Sequence, residues 1–254
     1  MHKERIKIDL IIHDLKAPLA VIENGVANLL KKADRYGSLT EKQDRVLHRV
    51  LRNTKIVQTL VDEILELGRS GKGVVDLEKV RLSDILTDVL LEILDISDVK
   101  PGRKMKRGLG LQPLQDILEK NNILLKISGE LWGYEVLLDK KKIKQILRNL
   151  LLNAVKYRER SVELEIEKAS CELLISVMDD GRGIPAGYHK KIFESYFQLE
   201  GGDDFSVRGH GLGLAGVMVL VEDLGGKLAL ESDTGKGARF VVTLPVPESE
   251  EQGL

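Results

Sequence analysis

The sequence has little of what marks several large classes of protein. Cys171 is the single cysteine among 254 residues, so an internal disulfide is excluded and a reducing, cytoplasmic setting fits. Aromatic residues make up only 4%, and the formal net charge is −1, which argues against base-stacking or strongly basic surfaces for nucleic acid. No apolar run reaches the roughly 18 residues of a membrane-spanning helix, so no transmembrane segment is predicted.

The composition nevertheless supports well-packed cores. Hydrophobic residues make up 43% of the chain and charged residues 31%, and the length suits one large domain or two modest ones. Cys171 opens the apolar run CELLISV and is therefore expected in a buried strand. The charged, uncapped helix at the N-terminus indicates a chain cut from a longer protein, which is compatible with a membrane anchor upstream of it.

The first 70 residues have the periodicity of two long amphipathic helices. The first helix has apolar or small residues three or four apart, at Ile8, Ile11, Leu15, Leu19, Ile22, Val26, Leu29 and Ala33. The second repeats the spacing at Leu47, Val50, Thr54, Val57, Val61, Ile64 and Gly68. Between them, Gly37 is predicted to end one helix and Ser38 or Thr40 to cap the next.

A short turn between two such helices makes an antiparallel hairpin, and two hairpins make a dimeric four-helix bundle. The alternative is that the hairpin docks on the rest of its own chain. Beyond the linker SGKG at residues 70–73, helices and strands interleave, which predicts a helix layer on a mixed sheet, with neighbouring strands paired as antiparallel hairpins. The predicted organisation is a helical domain over residues 1–70 and an α/β sandwich over residues 76–254.

Two glycine clusters and a pair of asparagines are the candidate chemical groups. DDGRGIP at residues 179–185 follows a strand, where glycines let the backbone approach a ligand and an aspartate can accept from an amine. GHGLGLAG at residues 209–216 opens a helix, whose N–H groups suit a phosphate. Its letters also contain GxGxxG, but no strand precedes it, so a dinucleotide-binding unit is not predicted. Asn149 and Asn153 lie four apart on one helical face, and an amide oxygen suits Mg²⁺.

His13 is predicted to face away from the seam of the hairpin. At about 100° per residue it points roughly 160° from Ile11 and from Leu15, which both lie on the seam. Asp14 can accept a hydrogen bond from one ring N–H and leave the other ring nitrogen nucleophilic. The remaining alternative is an ordinary exposed histidine.

The motifs IIHDLKAPL, NLLLNAVKY, DDGRGIP, IFESYFQL and GHGLGLAGV, in this order, resemble the sensor histidine kinases of two-component systems. The resemblance implies a dimerising histidine-phosphotransfer hairpin followed by an ATP-binding domain of the gyrase, chaperone and kinase superfamily. It also implies autophosphorylation with ATP and Mg²⁺, and transfer of the phosphoryl group to an aspartate on the receiver domain of a response regulator.

Position by position, the resemblance implies that His13 is the phosphorylated histidine and Asp14 its acidic neighbour. It implies that Asn153 binds Mg²⁺, that Asn149 is its catalytic partner one turn earlier, and that Asp179 binds the adenine amino group. The other nucleotide-binding residues that it implies are Lys156, Tyr157, Gly181, Gly183, Lys190, Arg208, Gly209, Gly211, Leu212 and Gly213.

Three other functions remain open at this point. The chain is alternatively another ATPase of the same superfamily, a kinase of this fold that phosphorylates serine on a partner, or a nucleotide-binding scaffold without turnover. A histidine that faces outward and is followed by an acid argues against the first. Intact Asn153, Asp179 and glycine clusters argue against the third.

Overall fold

The computed structural model describes residues 2–69, 75–96, 110–194 and 213–246. The chain divides into two compact units, Met1–Gly71 and Lys72–Leu254. Within the described ranges, no helix is both long and apolar enough to cross a membrane.

The first unit is a helical hairpin. Helix α1 spans His2–Lys31, the short α2 spans Ala33–Tyr36, and α3 spans Glu41–Arg69. Gly37 has a φ of +87° directly after α2, a left-handed conformation that glycine adopts at little cost. Thr40 then caps α3, because its Oγ1 accepts from the N–H of Gln43 while the Gln43 side chain accepts from the N–H of Thr40. The predicted stop at Gly37 and cap at Thr40 are confirmed.

The two long helices pack against each other but leave much of the predicted seam open to solvent. Val26 and Val61 are buried between them, and Gln58 Nε2 donates to Glu23 Oε2 across 3.0 Å. By contrast Ile22 is 44% exposed and Val57 is 41% exposed. One hairpin therefore covers only part of its own apolar surface.

The second unit alternates helices with short strands. Its helices are α4 Leu82–Ile96, α5 Leu111–Glu119, α6 Gly129–Trp132, α7 Lys140–Tyr157 and α8 Gly213–Asp223. Its strands are β1 Glu78–Arg81, β2 Ile123–Lys126, β3 Glu135–Leu138, β4 Val162–Ala169, β5 Glu172–Asp179, β6 Lys227–Ser232 and β7 Ala238–Pro245. Two 3₁₀ turns, Ala186–Tyr188 and Lys191–Phe193, follow β5.

The main sheet has five strands in the order β2-β4-β5-β7-β6. Strand β2 runs parallel to β4 and the other neighbours are antiparallel, so the sheet is mixed, and the predicted helical region followed by an α/β domain is confirmed. The core lies on one face of the sheet, where alternate residues of the strands, such as Leu164 and Val242, pack beneath α4, α7 and α8.

Two strand predictions were wrong. Strands β2 and β3 do not form a hairpin, because β2 pairs with β4 and β3 pairs with β1 in a separate two-stranded sheet. Cys171 is exposed rather than buried. The last pair of the β4–β5 hairpin joins Ala169 to Glu172, which leaves Ser170, with a φ of +51°, and Cys171 as the two residues of the turn.

Candidate functional site

Helix α7 carries the asparagine pair, and its start in the second unit is fixed by the residue before it, Asp139. Asp139 caps the helix, since its Oδ1 accepts from the N–H groups of Lys141 and Lys142, each at 3.1 Å. The other carboxylate oxygen accepts from the N–H of Asp76, also at 3.1 Å. The cap therefore starts α7 and ties it to the segment that enters the unit.

The asparagines of α7 lie in different surroundings. Asn149 is 5% exposed, its Oδ1 accepts from Gln145 Nε2, and its Nδ2 donates to the carbonyl of Gly213 at the start of α8. Asn153, one turn later, is only half-buried. At the end of the helix, Lys156 Nζ lies 4.7 Å from the ring centroid of Tyr157, whose side chain is exposed.

Asp179 ends strand β5 and is buried. Burial raises the pKa of its carboxyl above the ordinary 3.8, and hydrogen bonds from the N–H groups of Gly181 and Ala238 oppose that rise. The bond from Gly181 to Asp179 Oδ1 is 2.9 Å long. The carboxyl is therefore held in a fixed direction at the edge of the core.

Gly181 brings this carboxyl to the end of α7. A Cβ at Gly181 would lie 2.1 Å from the carbonyl oxygen of Tyr157, so only glycine lets the two backbones approach this closely. The structure thereby brings Asp179 and Gly181 beside the end of α7, which carries Lys156 and Tyr157.

The turn between β6 and β7 packs against the loop that follows Asp179. Gly183 has a φ of +68°, and a Cβ there would lie 1.9 Å from the carbonyl oxygen of Asp233. Gly237 has a φ of +74°, and its Cβ would lie 1.9 Å from the carbonyl oxygen of Asp179. Sequence reasoning did not single out Gly237, although the pattern GKG between two strands was a visible signal for a tight turn.

Asp180 is a second residue that sequence reasoning missed. Its Oδ1 accepts from three consecutive N–H groups, those of Glu159, Arg160 and Ser161, each at 3.0 Å. Slight burial would raise the pKa of Asp180, but these bonds outweigh burial and lower the pKa. Asp180 therefore holds the chain that leaves α7 against the loop that carries Asp179.

Other predicted site residues lie apart from this cluster or outside the described residues. Lys190 is exposed beside the second 3₁₀ turn. Gly213 is the first residue of α8. The backbones of His13 and Asp14 lie in α1, whereas their side chains are outside the part that the structure describes. Four residues lie wholly outside the described ranges: Arg208, Gly209, Gly211 and Leu212.

The donor set around α7 fits a Mg²⁺ ion that is bound mainly through phosphates. Among the described residues, no group of three or more His, Cys, Asp or Glu side chains could hold a metal ion. Mg²⁺ prefers oxygen ligands and in nucleotide sites takes most of them from phosphates and waters, so the amide oxygen of Asn153 is a candidate for the protein ligand.

Comparisons with known proteins match both units. A family model described as the His Kinase A (phospho-acceptor) domain matches residues 10–73. A model described as Histidine kinase-, DNA gyrase B-, and HSP90-like ATPase matches residues 138–248. These matches define the class of protein: it combines a helical phospho-acceptor domain with a following ATPase domain of the histidine kinase, gyrase and HSP90 type.

Individual relatives agree with the family models. Circadian input-output histidine kinase CikA of Synechococcus elongatus is 30% identical over 237 residues, 92% of this chain and 29% of CikA. Adaptive-response sensory kinase SasA of Crocosphaera subtropica is 26% identical over 244 residues, 93% of this chain and 58% of SasA. The chain thus belongs to the sensor histidine kinases and spans less than two thirds of the length of either relative.

A solved structure shows the same fold. The crystal structure of full-length ShkA in complex with AMPPNP matches with a TM-score of 0.64 and 22% identity, covering 96% of this chain and 46% of ShkA. The predicted resemblance to the sensor histidine kinases is confirmed by the family models and the relatives together.

Proposed function

We propose that this chain transfers the γ-phosphoryl group of ATP to His13 and then passes it to an aspartate on the receiver domain of a response regulator. The observation that carries the nucleotide half is the packing of the Asp179 loop on the end of α7 at Gly181. This packing holds the buried Asp179 carboxyl, which can accept from an adenine amino group, beside the helix that also carries Asn153.

The residues of the second unit hold and orient ATP. Asp179 accepts from the adenine amino group, and Lys156 and Tyr157, whose side chains lie together at the end of α7, contact the nucleotide. The segment with Gly209, Gly211 and Gly213 supplies N–H groups to the phosphates. Asn153 would hold Mg²⁺, which neutralises charge on the phosphates when it is bound.

The residues of the first unit accept the phosphoryl group. A ring nitrogen of neutral His13 attacks the γ-phosphorus, the bond from phosphorus to the bridging oxygen breaks, and ADP leaves. Asp14 accepts a hydrogen bond from the other ring nitrogen and stabilises the positive charge that forms on the ring. An aspartate oxygen of the receiver domain then attacks the phosphorus, and the N–P bond breaks, which restores neutral His13.

Incubation with γ-labelled ATP and Mg²⁺ tests this proposal. We expect the wild-type protein to acquire label that is acid-labile and base-stable, as phosphohistidine is, and His13→Gln to acquire none. His48→Gln is the matched control, because His48 also lies on the hairpin and its Nδ1 is 3.2 Å from a carboxylate oxygen of Asp44. Its label should equal that of the wild type.

The same assay separates the other functions. Acid-stable label in a partner protein would indicate a serine-directed kinase. ATP hydrolysis without protein label would indicate another ATPase of the superfamily, and nucleotide binding without either would indicate a scaffold. Label that persists in His13→Gln would rule out His13 as the acceptor.

A further inference from the structure

Helices α7 and α8 meet at the amide of Asn149. Its Nδ2 donates to the carbonyl of Gly213, the first residue of α8, across 3.3 Å. A Cβ built on Gly213 would lie 3.9 Å from that amide, and one built on Gly216 would lie 4.0 Å from it. The first turn of α8 therefore packs directly on Asn149, which is almost completely buried.

A second contact fixes the direction of this amide. Gln145, one turn earlier on α7, donates from Nε2 to Asn149 Oδ1 across 3.1 Å. An amide oxygen only accepts hydrogen bonds and an amide NH₂ only donates them, so the oxygen bound to Gln145 leaves the NH₂ facing Gly213. Both ends of the amide are thus engaged within the fold, and an amide is not a useful proton acceptor for a reaction.

The far end of α8 is held separately. Lys142 Nζ lies 2.6 Å from Asp223 Oδ2, and both side chains are only 7% exposed. Lys142 precedes Asn149 by about two turns of α7, whereas Asp223 is the last residue of α8. The two helices therefore run antiparallel, and α8 is joined to α7 near both of its own ends. Loss of the Asn149 contact would release the start of α8 while the ion pair still holds its end.

We propose that Asn149 is a positioning residue that fixes the start of α8 on α7, and that it takes no part in the phosphoryl chemistry itself. This inference rests on the proposed function. Asn153 lies one turn beyond Asn149 on the same helical face, and the N-terminus of α8 presents N–H groups suited to phosphate. The hydrogen bond from Asn149 to Gly213 therefore sets the spacing between the proposed Mg²⁺ ligand and the phosphate-binding end of α8.

Asn149→Asp distinguishes positioning from chemistry. The carboxylate has almost the same shape, still accepts from Gln145 and is a better proton acceptor than an amide. It cannot donate to the Gly213 carbonyl and repels it. We expect the Kd of a non-hydrolysable ATP analogue with Mg²⁺, measured by isothermal titration calorimetry, to rise about tenfold, the effect of about 1.4 kcal/mol.

Two further readouts show where the loss arises. Adenosine has no phosphates, so its Kd should change by less than about twofold, a small fraction of the effect of one hydrogen bond. In autophosphorylation, KM for ATP should rise while kcat at saturating ATP stays near the wild-type value, because the change acts on binding and not on the chemical step.

A second variant accompanies the test. Gln145→Met removes the bond that orients Asn149 without changing Asn149, and should raise the analogue Kd by about two- to threefold. If Asn149→Asp fails to fold, the Gln145→Met result decides the question.

Unchanged analogue affinity in Asn149→Asp would overturn the positioning role. A fall in kcat without any change in analogue Kd would overturn it too, because that pattern marks a group that acts in the chemical step. Failure of the wild-type protein to bind the analogue would instead count against the proposed function.

Discussion

Asp179 is subject to opposing effects on its charge. Burial raises its pKa, two backbone N–H groups lower it, and the charge of neighbouring Asp180 raises it further. The net pKa lies above the ordinary 3.8, so the carboxyl takes up a proton at a higher pH than an exposed aspartate does. A protonated carboxyl has lost acceptor strength toward an adenine amino group, so the affinity for the base should fall as pH falls through this raised pKa.

Adenosine is the suitable probe for this pH dependence, since it has no titrating phosphate. We expect its Kd to increase as the pH is lowered through the pKa of Asp179, which burial holds above the ordinary 3.8, so the loss of affinity begins at a higher pH than it would for an exposed aspartate. Asp179→Asn should bind adenosine more weakly at neutral pH and show a flat profile. An equally steep profile in Asp179→Asn would assign the pH dependence to another group.

The contribution of Asp179 to the stability of the fold should depend on pH in the direction opposite to its effect on adenosine binding. The pKa of Asp179 is higher in the folded than in the unfolded chain, so the folded state binds more protons, and the contribution of this group to stability grows as pH falls. Asp180 has a lowered pKa in the folded state, and its contribution is present above the unfolded pKa and lost as pH falls through the folded one. Adjacent carboxyls thus respond to acid in opposite directions.

At the residue scale, sequence motifs were sufficient to select Asp179 and Gly181, because both lie in one short run after an apolar strand. They also selected Asn149, but they did not indicate its bond to Gly213, which joins positions 64 residues apart. No local pattern indicates such a contact. Asp180 was missed for a related reason. Its partners are the backbone N–H groups of residues 159–161, and the residue types at those positions do not indicate such bonds.

At the scale of elements, the β6–β7 turn supports the nucleotide loop. Ser232 Oγ donates to the carbonyl of Gly237 at 2.6 Å and accepts from the N–H of Ile184 at 2.8 Å. The N–H of Gly235 donates to the carbonyl of Arg182 at 2.7 Å. The turn and the loop that follows Asp179 therefore form one hydrogen-bonded unit.

Replacement of Gly237 by Ala should disrupt this unit. Its φ of +74° disfavours any residue with a Cβ, and that Cβ would lie 1.9 Å from the Asp179 carbonyl oxygen. Backbone strain and overpacking together should lower the free energy of unfolding by about 2–5 kcal/mol, measured by urea denaturation. Adenosine affinity should fall as well, because Asp179 has to move.

Gly235→Ala is the matched control within the same turn. Gly235 has a φ of +79°, but its Cβ would have no heavy atom within 4 Å. Only backbone strain remains, which costs about 1–2 kcal/mol, and adenosine affinity should stay at the wild-type level. Equal losses of stability in the two variants would show that the close approach of Gly237 to Asp179 is not the cause.

The strand order was the part of the fold that patterns predicted least well. The alternation of apolar and polar residues identified β4, β5 and β7, in which the side chains that point toward the core are buried. Strand β1 has a single buried residue, Val80, among four, which is too short a pattern to detect. The parallel pairing of β2 with β4 depends on a connection that passes through β3 and α7, and such a long-range choice is not encoded in local alternation.

At the scale of the whole molecule, the exposed apolar seam of the hairpin leads us to expect that two chains associate. Four seam residues of the hairpin are exposed in the single chain, namely Leu15 at 46%, Ile22 at 44%, Val50 at 38% and Val57 at 41%. They belong to the same heptad-like pattern as Val26 and Val61, which are buried within one hairpin. A second hairpin would cover the exposed residues and complete a four-helix bundle.

Ile22→Glu should convert a dimer into single chains, because a charge at the centre of the bundle would be desolvated without a partner. One hairpin tolerates this change, since Ile22 is already 44% exposed within it. Val21→Glu is the control: Val21 is 72% exposed, lies about 100° away around α1, and should leave the dimer intact. Light scattering after size-exclusion chromatography measures both masses. If both variants have the mass of a dimer, the interface lies elsewhere. If the wild-type protein has the mass of a single chain, docking of the hairpin on its own chain is favoured.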